Sequence, residues 1–163
     1  MSVELFRIDD RLIHGQVVVG WGQPLDIEFI ALVDDEVAAS DWEQELYRMG
    51  VPPGVDVYFD SLDSAVDKLP GYLADSRRGI VLTGDVRMMR LLAERTGRVE
   101  TVNIGGLHHR VGRVEHLRYV FLADEDIEHL REMERGGIEV TAQDVPSTTP
   151  VPLSTVLATR GAA

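Results

Sequence analysis

The sequence predicts an α/β fold with an open, mainly parallel sheet, helices on both faces and an antiparallel C-terminal edge. Short segments rich in Val, Ile and Leu alternate with segments of helical periodicity. Residues 27–33 and 79–83 are almost continuously apolar, as strands covered on both faces are. Four successive strand–helix units favour right-handed crossovers and parallel pairing. After residue 104 this alternation stops.

Five strands are expected in the first part of the chain, at residues 3–8, 27–33, 55–59, 79–83 and 99–104. The helices between them are expected at residues 15–21, 37–49, 61–69 and 86–96. Gly22 and Pro24 are expected to stop the first of these helices, Ser61 to cap the third, and Pro70-Gly71 to interrupt it.

The C-terminal part of the chain carries a different pattern. We expect a turn at residues 111–113, a strand at 117–122, an acidic helix at 124–134 and an edge strand at 138–145, where apolar and polar residues alternate. Strand 117–122 arrives without a helical crossover, which indicates antiparallel pairing near this edge. With 163 residues the chain fits a single domain, 1–163, in which 146–163 form a tail with a possible short helix at 153–157 before a disordered end.

Composition excludes several classes of function. The net charge of −12 disfavours nucleic acid and anionic membrane surfaces as partners. The absence of cysteine rules out disulfides, thiolate catalysis and cysteine-bound metals. No apolar run is long enough for a membrane span and residues 2–4 do not begin a signal peptide, so we expect a cytoplasmic protein.

The candidate reactive residue is His14. It follows a charged turn, precedes Gly15 and stands where a helix is expected to begin, a place where exposed backbone N–H groups attract anions. Free imidazole is mostly neutral at pH 7, so a ring nitrogen can act as a nucleophile. Arg11, three residues earlier, can clamp phosphoryl oxygens. Asp9 either fixes the ring tautomer, tethers an arginine or simply caps the turn.

Further candidates lie in the turns after the predicted strands. The carboxyl ends of strands one, two, four and five are expected to converge around His14. Thr83 and Gly84 could offer a hydroxyl and an N–H to phosphate, and Gly105-Gly106 could allow close backbone approach. An ordinary tight turn is the favoured interpretation for Thr83 and fits the glycines equally well. The remaining phosphate-binding or loop candidates are Arg7, Asp9, Gly15 and Gln16.

The string RIDDRLIHGQV at residues 7–17 closely resembles the signature of the enzyme IIB components of the mannose/fructose/sorbose family of the bacterial phosphotransferase system. Segments 35–38, 52–55, 103–106 and 135–138 resemble further landmarks of that family at similar spacing. The chain differs from the usual family pattern at Thr83-Gly84-Asp85 and at His108-His109-Arg110.

The resemblance implies a function. It implies that His14, on its Nδ1 nitrogen, accepts a phosphoryl group from the phosphohistidine of a IIA partner, and that Arg11 contacts this group. A sugar of the mannose/fructose/sorbose class, presented by membrane subunits IIC and IID, would then receive it, with no cofactor or metal. An alternative hypothesis is a regulatory module of the same fold, switched by phosphorylation and without transport. A metal site built on His108, His109 and His116 is disfavoured, because adjacent histidines point to opposite faces of an extended chain.

Overall fold

A computed structural model of the chain describes residues 2–159 and contains a seven-stranded sheet with a separate two-stranded sheet. The strands are β1 Val3–Ile8, β2 Phe29–Val33, β3 Asp56–Asp60, β4 Gly79–Thr83, β5 Thr101–Ile104, β6 Val114–Leu117, β7 Val120–Leu122, β8 Glu139–Ala142 and β9 Val151–Pro152. In the large sheet they run in the order β3-β2-β4-β1-β5-β8-β9, and only β9 is antiparallel to its neighbour. The predicted fold class is confirmed.

Helices cover both faces of this sheet. They are a π-helix Gln16–Trp21, then α1 Gly22–Leu25, α2 Asp35–Ala38, α3 Asp41–Met49, α4 Leu62–Ala74, α5 Val86–Thr96, α6 Asp124–Arg135 and α7 Leu153–Ala158. All five residues of β2 are buried: Phe29, Ala31 and Val33 join the core under α4 to α6, and Ile30 and Leu32 join the core under the π-helix and α2. Alternating side chains of a central strand therefore supply both cores.

The first helix is longer than the sequence predicts. The π-helix continues into α1 without a break, so Gly22 and Pro24 do not stop it. It ends at Asp26, whose φ of 53° lies in the left-handed region. The N–H groups of Asp26 and Ile27 donate to the carbonyl oxygens of Gln23 and Gly22. Such bonds satisfy the last carbonyl groups of a helix.

The predicted helix 37–49 is two helices. Ser40 separates α2 from α3, and its side chain accepts a hydrogen bond from the N–H of Glu43. The apolar residues of α3 have helical spacing, but Trp42, Leu46 and Met49 are 68, 54 and 82% exposed. Periodicity shows which side chains share a helix face, not which neighbour that face meets.

Further features differ from the predictions. Helix α4 continues through Pro70 to Ala74. The predicted strand 117–122 is interrupted at Arg118-Tyr119: Leu117 ends β6, which begins at Val114, and the last three residues form β7, which pairs with β6 as the small antiparallel sheet. Strand β8 is not the sheet edge, because β9 pairs with it from outside. The predicted tail is thus partly structural: it supplies β9 and α7, whose Leu153 and Val156 are buried, while residues 160–163 lie outside the described part of the chain.

Parallel pairing places several exit turns at one edge of the sheet. Strand β1 lies between β4 and β5, with Ile8 beside both Thr83 and Ile104, and β5 pairs with β8. The turns that follow these four strands therefore lie side by side, where ligands bind in open α/β sheets.

Packing at Gly79 gives a stability prediction. A Cβ at this position of β4 would stand 2.2 to 2.4 Å from ring atoms of Phe29, which is fully buried between β4 and β3. We expect Gly79→Ala to lower the free energy of unfolding by about 2–3 kcal/mol, since a packed ring must move. The measurement is urea denaturation.

Gly71→Ala is the matched control. Gly71 lies in α4 with nothing within 4 Å of its added Cβ. There the same substitution should stabilise by about 0.5–1 kcal/mol through helix propensity. Equal effects at the two positions would contradict the packing argument.

Candidate active site

The Asp9 carboxylate lies at the centre of the candidate site. Asp9 follows β1 directly, is fully buried, and its main-chain N–H donates to the carbonyl of Thr83. Arg11 donates from Nε to Oδ1 and from Nη2 to Oδ2, each at 3.2 Å. Oδ2 also accepts from the N–H of Gly106 at 3.2 Å and from Arg7 Nη2 at 3.4 Å. One carboxylate thus joins two arginines and the turn after β5.

These contacts set the charge of Asp9. Burial alone would raise its pKa, but the contact with His14, the hydrogen bonds from Arg11 and the charge of Arg7 outweigh it and hold the pKa well below the usual range. Asp9 is therefore ionised at neutral pH.

His14 stands at the rim of this buried cluster with its side chain 19% exposed. Its Nδ1 accepts a hydrogen bond from the main-chain N–H of Gln16 at 3.2 Å. Its Nε2 lies 3.3 Å from Asp9 Oδ2, at an angle outside hydrogen-bond geometry. An accepting nitrogen carries no proton, so the neutral ring has its proton on Nε2, beside the carboxylate. Nδ1 then holds the lone pair that a nucleophile needs.

The backbone around His14 is shaped for an anion. Leu12, two residues earlier, has φ 60°, an uncommon conformation for a residue with a side chain and one that occurs often at functional sites. The carbonyl of His14 accepts hydrogen bonds from Val17 and Val18, both at 3.0 Å, which starts the π-helix. The N–H groups of His14 and Gly15 make no hydrogen bond within residues 2–159. Groups of this kind at a helix start are suited to phosphate.

Arg11 is the accessible arginine of the site. Its side chain is 37% exposed, and besides Asp9 it contacts Gln16, whose Oε1 accepts from Nη2 at 2.6 Å. Nη1 makes no hydrogen bond to any residue that the structure describes. Gln16 Nε2 donates in turn to Oδ1 of Asp144 at 2.8 Å. Arg11 is thus held beside His14 with one edge of its guanidinium group open to solvent.

Arg7 does not fit the predicted role of phosphate contact. Its side chain is fully buried, and its guanidinium donates to Asp9, to the Asn103 side chain and to the carbonyl oxygens of Gln143 and Asp144. Burial lowers its pKa, and the neighbouring Asp9 charge opposes that effect. Arg7 therefore ties β1, β5 and the turn after β8 together from inside the molecule.

The two predicted glycines after β5 make room for these arginines. A Cβ on Gly105 would stand 2.3 to 2.7 Å from guanidinium atoms of Arg7, and one on Gly106 would stand 3.1 Å from Nη2 of Arg11. The close backbone approach expected from the sequence thus occurs, and the groups that approach are guanidinium groups of the protein.

The turn after β4, which was predicted to contribute to the site, does not contact the His14 ring. Thr83 is fully buried and its hydroxyl donates to the carbonyl of Asp85, which leaves it no proton for a phosphate in this geometry. A Cβ on Gly84 would stand 2.7 Å from the Leu12 side chain and 3.9 Å from Asp34 of the turn after β2. These two turns therefore support the loop before His14 and do not reach the ring itself.

Sequence reasoning missed the contribution of the turn after β8. The carbonyl of Asp144 accepts hydrogen bonds from Arg7, from Gln16 and, at 3.0 Å, from Nε1 of Trp21. This residue was placed inside a predicted edge strand, so nothing marked it. Parallel pairing of β8 with β5 would have been the signal, because it puts the end of β8 at the same edge as Asp9.

The described residues contain no group of three or more His, Asp or Glu side chains able to hold a metal ion. His116 is buried against the carbonyl oxygens of Val156 and Thr159, whereas His108 contacts Asp10 and His109 packs edge-on to Phe121. The three histidines considered for a metal site thus have separate surroundings.

A family model for the sorbose subfamily IIB component of the phosphotransferase system (PTS) matches residues 3–163. The chain belongs to this family. IIB components are phosphotransferase enzymes of the sugar phosphotransferase system. The chain is 30% identical over 148 residues to the N-acetylgalactosamine-specific phosphotransferase enzyme IIB component 1 of Escherichia coli K12, a match that covers 89% of this chain and 92% of that protein.

A second relative contains an additional region. The PTS system mannose-specific EIIAB component of Escherichia coli K12 is 34% identical over 152 residues, which cover 92% of this chain and 46% of that protein. Among solved structures, the IIBSor domain of the sorbose permease from Klebsiella pneumoniae superposes with a TM-score of 0.88 at 30% identity, covering 99% of this chain and 100% of that one. The IIB fold therefore extends over nearly the whole chain.

The buried Asp9 cluster predicts a pH-dependent loss of stability. We expect Asp9→Asn to lower the free energy of unfolding at pH 7 by about 3–5 kcal/mol, because two arginines lose their shared counter-charge. Since the folded pKa of Asp9 is lowered, its contribution is complete above the ordinary Asp value of about 3.9 and declines as the pH falls below it.

Denaturant unfolding between pH 7 and pH 3 checks this, with the exposed Asp67→Asn of α4 as control. The difference between native protein and Asp9→Asn should stay constant down to about pH 4 and then narrow. If Asp9→Asn lowered the free energy of unfolding no more than Asp67→Asn does, the stability of the cluster would not depend on the Asp9 charge.

Proposed function

We propose that the chain is a phosphocarrier in which His14 Nδ1 receives a phosphoryl group from a IIA partner and passes it to a sugar. The observation that carries the proposal is the pattern of contacts of this ring: Nε2 lies 3.3 Å from Asp9 Oδ2, and Nδ1 accepts a hydrogen bond from the N–H of Gln16, whose side chain binds Arg11. Membership of the IIB family supports the same assignment.

In the first step Nδ1 attacks phosphorus in the phosphohistidine of the donor. The P–N bond to the donor breaks and its electron pair returns to the donor imidazole, so no proton has to move. The developing charge lies on the three non-bridging oxygens. Arg11 Nη1 and the N–H groups of His14 and Gly15 are the donors available to them, and groups fixed before the reaction stabilise such charge most effectively. The N–H of Gln16 donates to Nδ1 before the attack and is released when Nδ1 bonds to phosphorus.

In the second step a sugar hydroxyl oxygen attacks the same phosphorus. The P–Nδ1 bond breaks, the electron pair returns to His14, and the hydroxyl proton leaves to a base of the acceptor complex. Asp9 stays ionised and keeps the ring in one orientation throughout. Neither step needs a cofactor or a metal.

Similarity to the relatives supports the proposed partners. A mannose-specific EIIAB component contains a region similar to this chain within a protein about twice as long, which supports a IIA protein or domain as the phosphoryl donor. Relatives named for sorbose, mannose and N-acetylgalactosamine support a sugar of that class as acceptor. We propose that membrane subunits IIC and IID present this sugar at the cytoplasmic face. No helix among residues 2–159 has the length and apolar character to cross a membrane.

The test of this function is phosphoryl transfer from labelled phosphoenolpyruvate through the general phosphotransferase proteins and a candidate IIA. The native chain should acquire label that is labile to acid and stable to alkali, and His14→Ala should acquire none. His109→Ala, which removes an exposed histidine, should be labelled like the native chain.

Label persisting in His14→Ala would move the phosphorylation to another histidine. Absence of label from the native chain with several IIA proteins would favour the regulatory or binding module instead.

Arg11 gives a second prediction. Arg11→Ala should slow transfer to His14 about a hundredfold, the usual effect of removing one preorganised donor from a site of developing charge. Arg11→Lys keeps the charge without the planar fork and should fall in between.

The measurement is the single-turnover rate from phospho-IIA, with thermal unfolding to verify folding. Arg131→Ala, an exposed arginine of α6, is the control for charge alone. An unchanged rate in Arg11→Ala would remove Arg11 from the mechanism.

A further inference from the structure

A second histidine stands beside the candidate site in a fixed orientation. The Nδ1 atom of His108 lies 2.6 Å from Asp10 Oδ1, and the main-chain N–H of His108 donates to Asp10 Oδ2 at 2.8 Å. The carboxylate can only accept, so the side-chain contact requires the proton on Nδ1. The ring is 51% exposed, and Nε2, opposite the contact with Asp10, is the nitrogen left for another partner.

The support of this histidine is itself held in place. The side chain of Asp10 is 7% exposed, and the main-chain N–H of Asp10 donates to the carbonyl of Gly106 at 2.9 Å. The side chain of Arg113 is 8% exposed. Its Nη1 donates to Asp10 Oδ2 at 3.4 Å and to the carbonyl of His108 at 2.9 Å. The orientation of the ring is therefore defined by buried groups, as is usual for residues that act on a substrate and unusual for an exposed loop histidine.

His108 and Arg11 flank the same small space. The position that a Cβ of Gly106 would occupy is 3.0 Å from His108 Cε1 and 3.1 Å from Arg11 Nη2. The N–H of Gly106 and Arg11 Nη2 both donate to Asp9 Oδ2, the atom 3.3 Å from His14 Nε2. The ring of His108 thus lies next to the guanidinium group of Arg11, which with Gly106 binds the carboxylate beside His14.

We propose that His108, oriented by Asp10, is a second phosphate-contacting residue of this site and donates a hydrogen bond from Nε2 to the phosphoryl group during transfer. This inference rests on the proposed function of His14 as the phosphorylated residue. His108 forms and breaks no covalent bond: the phosphoryl group still moves between the donor imidazole and His14 Nδ1. Donation from Nε2 uses the doubly protonated ring, in which both nitrogens are donors, one to Asp10 and one to a phosphoryl oxygen.

The neighbouring residue lacks these features. His109 is exposed, packs edge-on to Phe121 and contacts no carboxylate within the described residues. It follows His108 directly, so it supplies a control with the same residue type in the same loop. The Arg11 guanidinium lies beside this space and is paired with Asp9, whereas Arg113 is paired with Asp10 and, at 3.5 Å from its Nε, with Asp126.

The first experiment titrates the ¹⁵N-labelled chain with inorganic phosphate at pH 7 and follows the side-chain resonances of His108, His109 and Arg11 by NMR. The resonances of His108 Nε2 and of the Arg11 side chain should shift with the same saturation curve. The resonances of His109 should not shift. This experiment needs neither IIA nor sugar, so it stands even if the transfer function of His14 fails. Shifts at Arg11 without shifts at His108 would overturn the proposal.

The second experiment measures transfer between phospho-IIA and His14 in both directions. His108→Asn keeps an amide that can reach Asp10 but removes the group at Nε2, and should slow the rate constant about tenfold, as for loss of a hydrogen bond to a charged group. The phospho-IIA concentration at half-maximal rate should be unchanged. His108→Gln, whose amide can reach the Nε2 position, should restore part of the rate, and His109→Asn should match the native chain.

The outcomes separate the two proposals. If native His14 is labelled and His108→Asn transfers at the native rate, the role of His108 is wrong while that of His14 stands. If His14 is never labelled, the proposed function fails, and the phosphate titration alone decides whether His108 contacts phosphate. Equal losses in His108→Asn and His109→Asn would assign the effect to the loop and overturn the role of the Nε2 atom.

Discussion

The buried carboxylate of Asp9 is the constraint on which the site depends. A negative charge without access to water is unfavourable unless donors surround it, and Asp9 meets this requirement with Arg7, Arg11 and the N–H of Gly106. Those donors come from β1, from the turn before His14 and from the turn after β5. The hydrogen bonds to this one carboxylate therefore fix the relative positions of three chain segments. The imidazole of His14 lies against the same carboxylate.

The two arginines of this cluster have different roles. Arg7 is fully buried and joins β1 to Asn103 and to the turn after β8, whereas Arg11 is partly exposed and keeps part of its guanidinium group accessible. The difference follows from strand geometry: Arg7 is inside β1 and points into the core next to Trp21, while Arg11 is in the loop beyond it. Structural and chemical roles of arginine are thus separated by four residues of sequence.

The charges around Asp9 differ from the charge of the chain as a whole. The net charge of −12 repels anions at long range, but the carboxylate at the centre of the site is bound by two guanidinium groups, those of Arg7 and Arg11. Asp10 repeats this arrangement on a smaller scale by holding His108 and contacting Arg113. In both cases a buried carboxylate orients a basic side chain that is more exposed than itself.

The α/β class, the strand–helix alternation and the candidate pair His14 and Arg11 could be predicted from the amino-acid sequence, because periodicity and a contiguous motif are local properties of the chain. The exposure of the apolar face of α3, the burial of Arg7 and the position of Asp144 beside Gln16 became visible in the folded chain. These features depend on which strands are neighbours and on whether they pair in parallel. Contacts between residues more than a hundred positions apart leave no periodic signal in a single sequence.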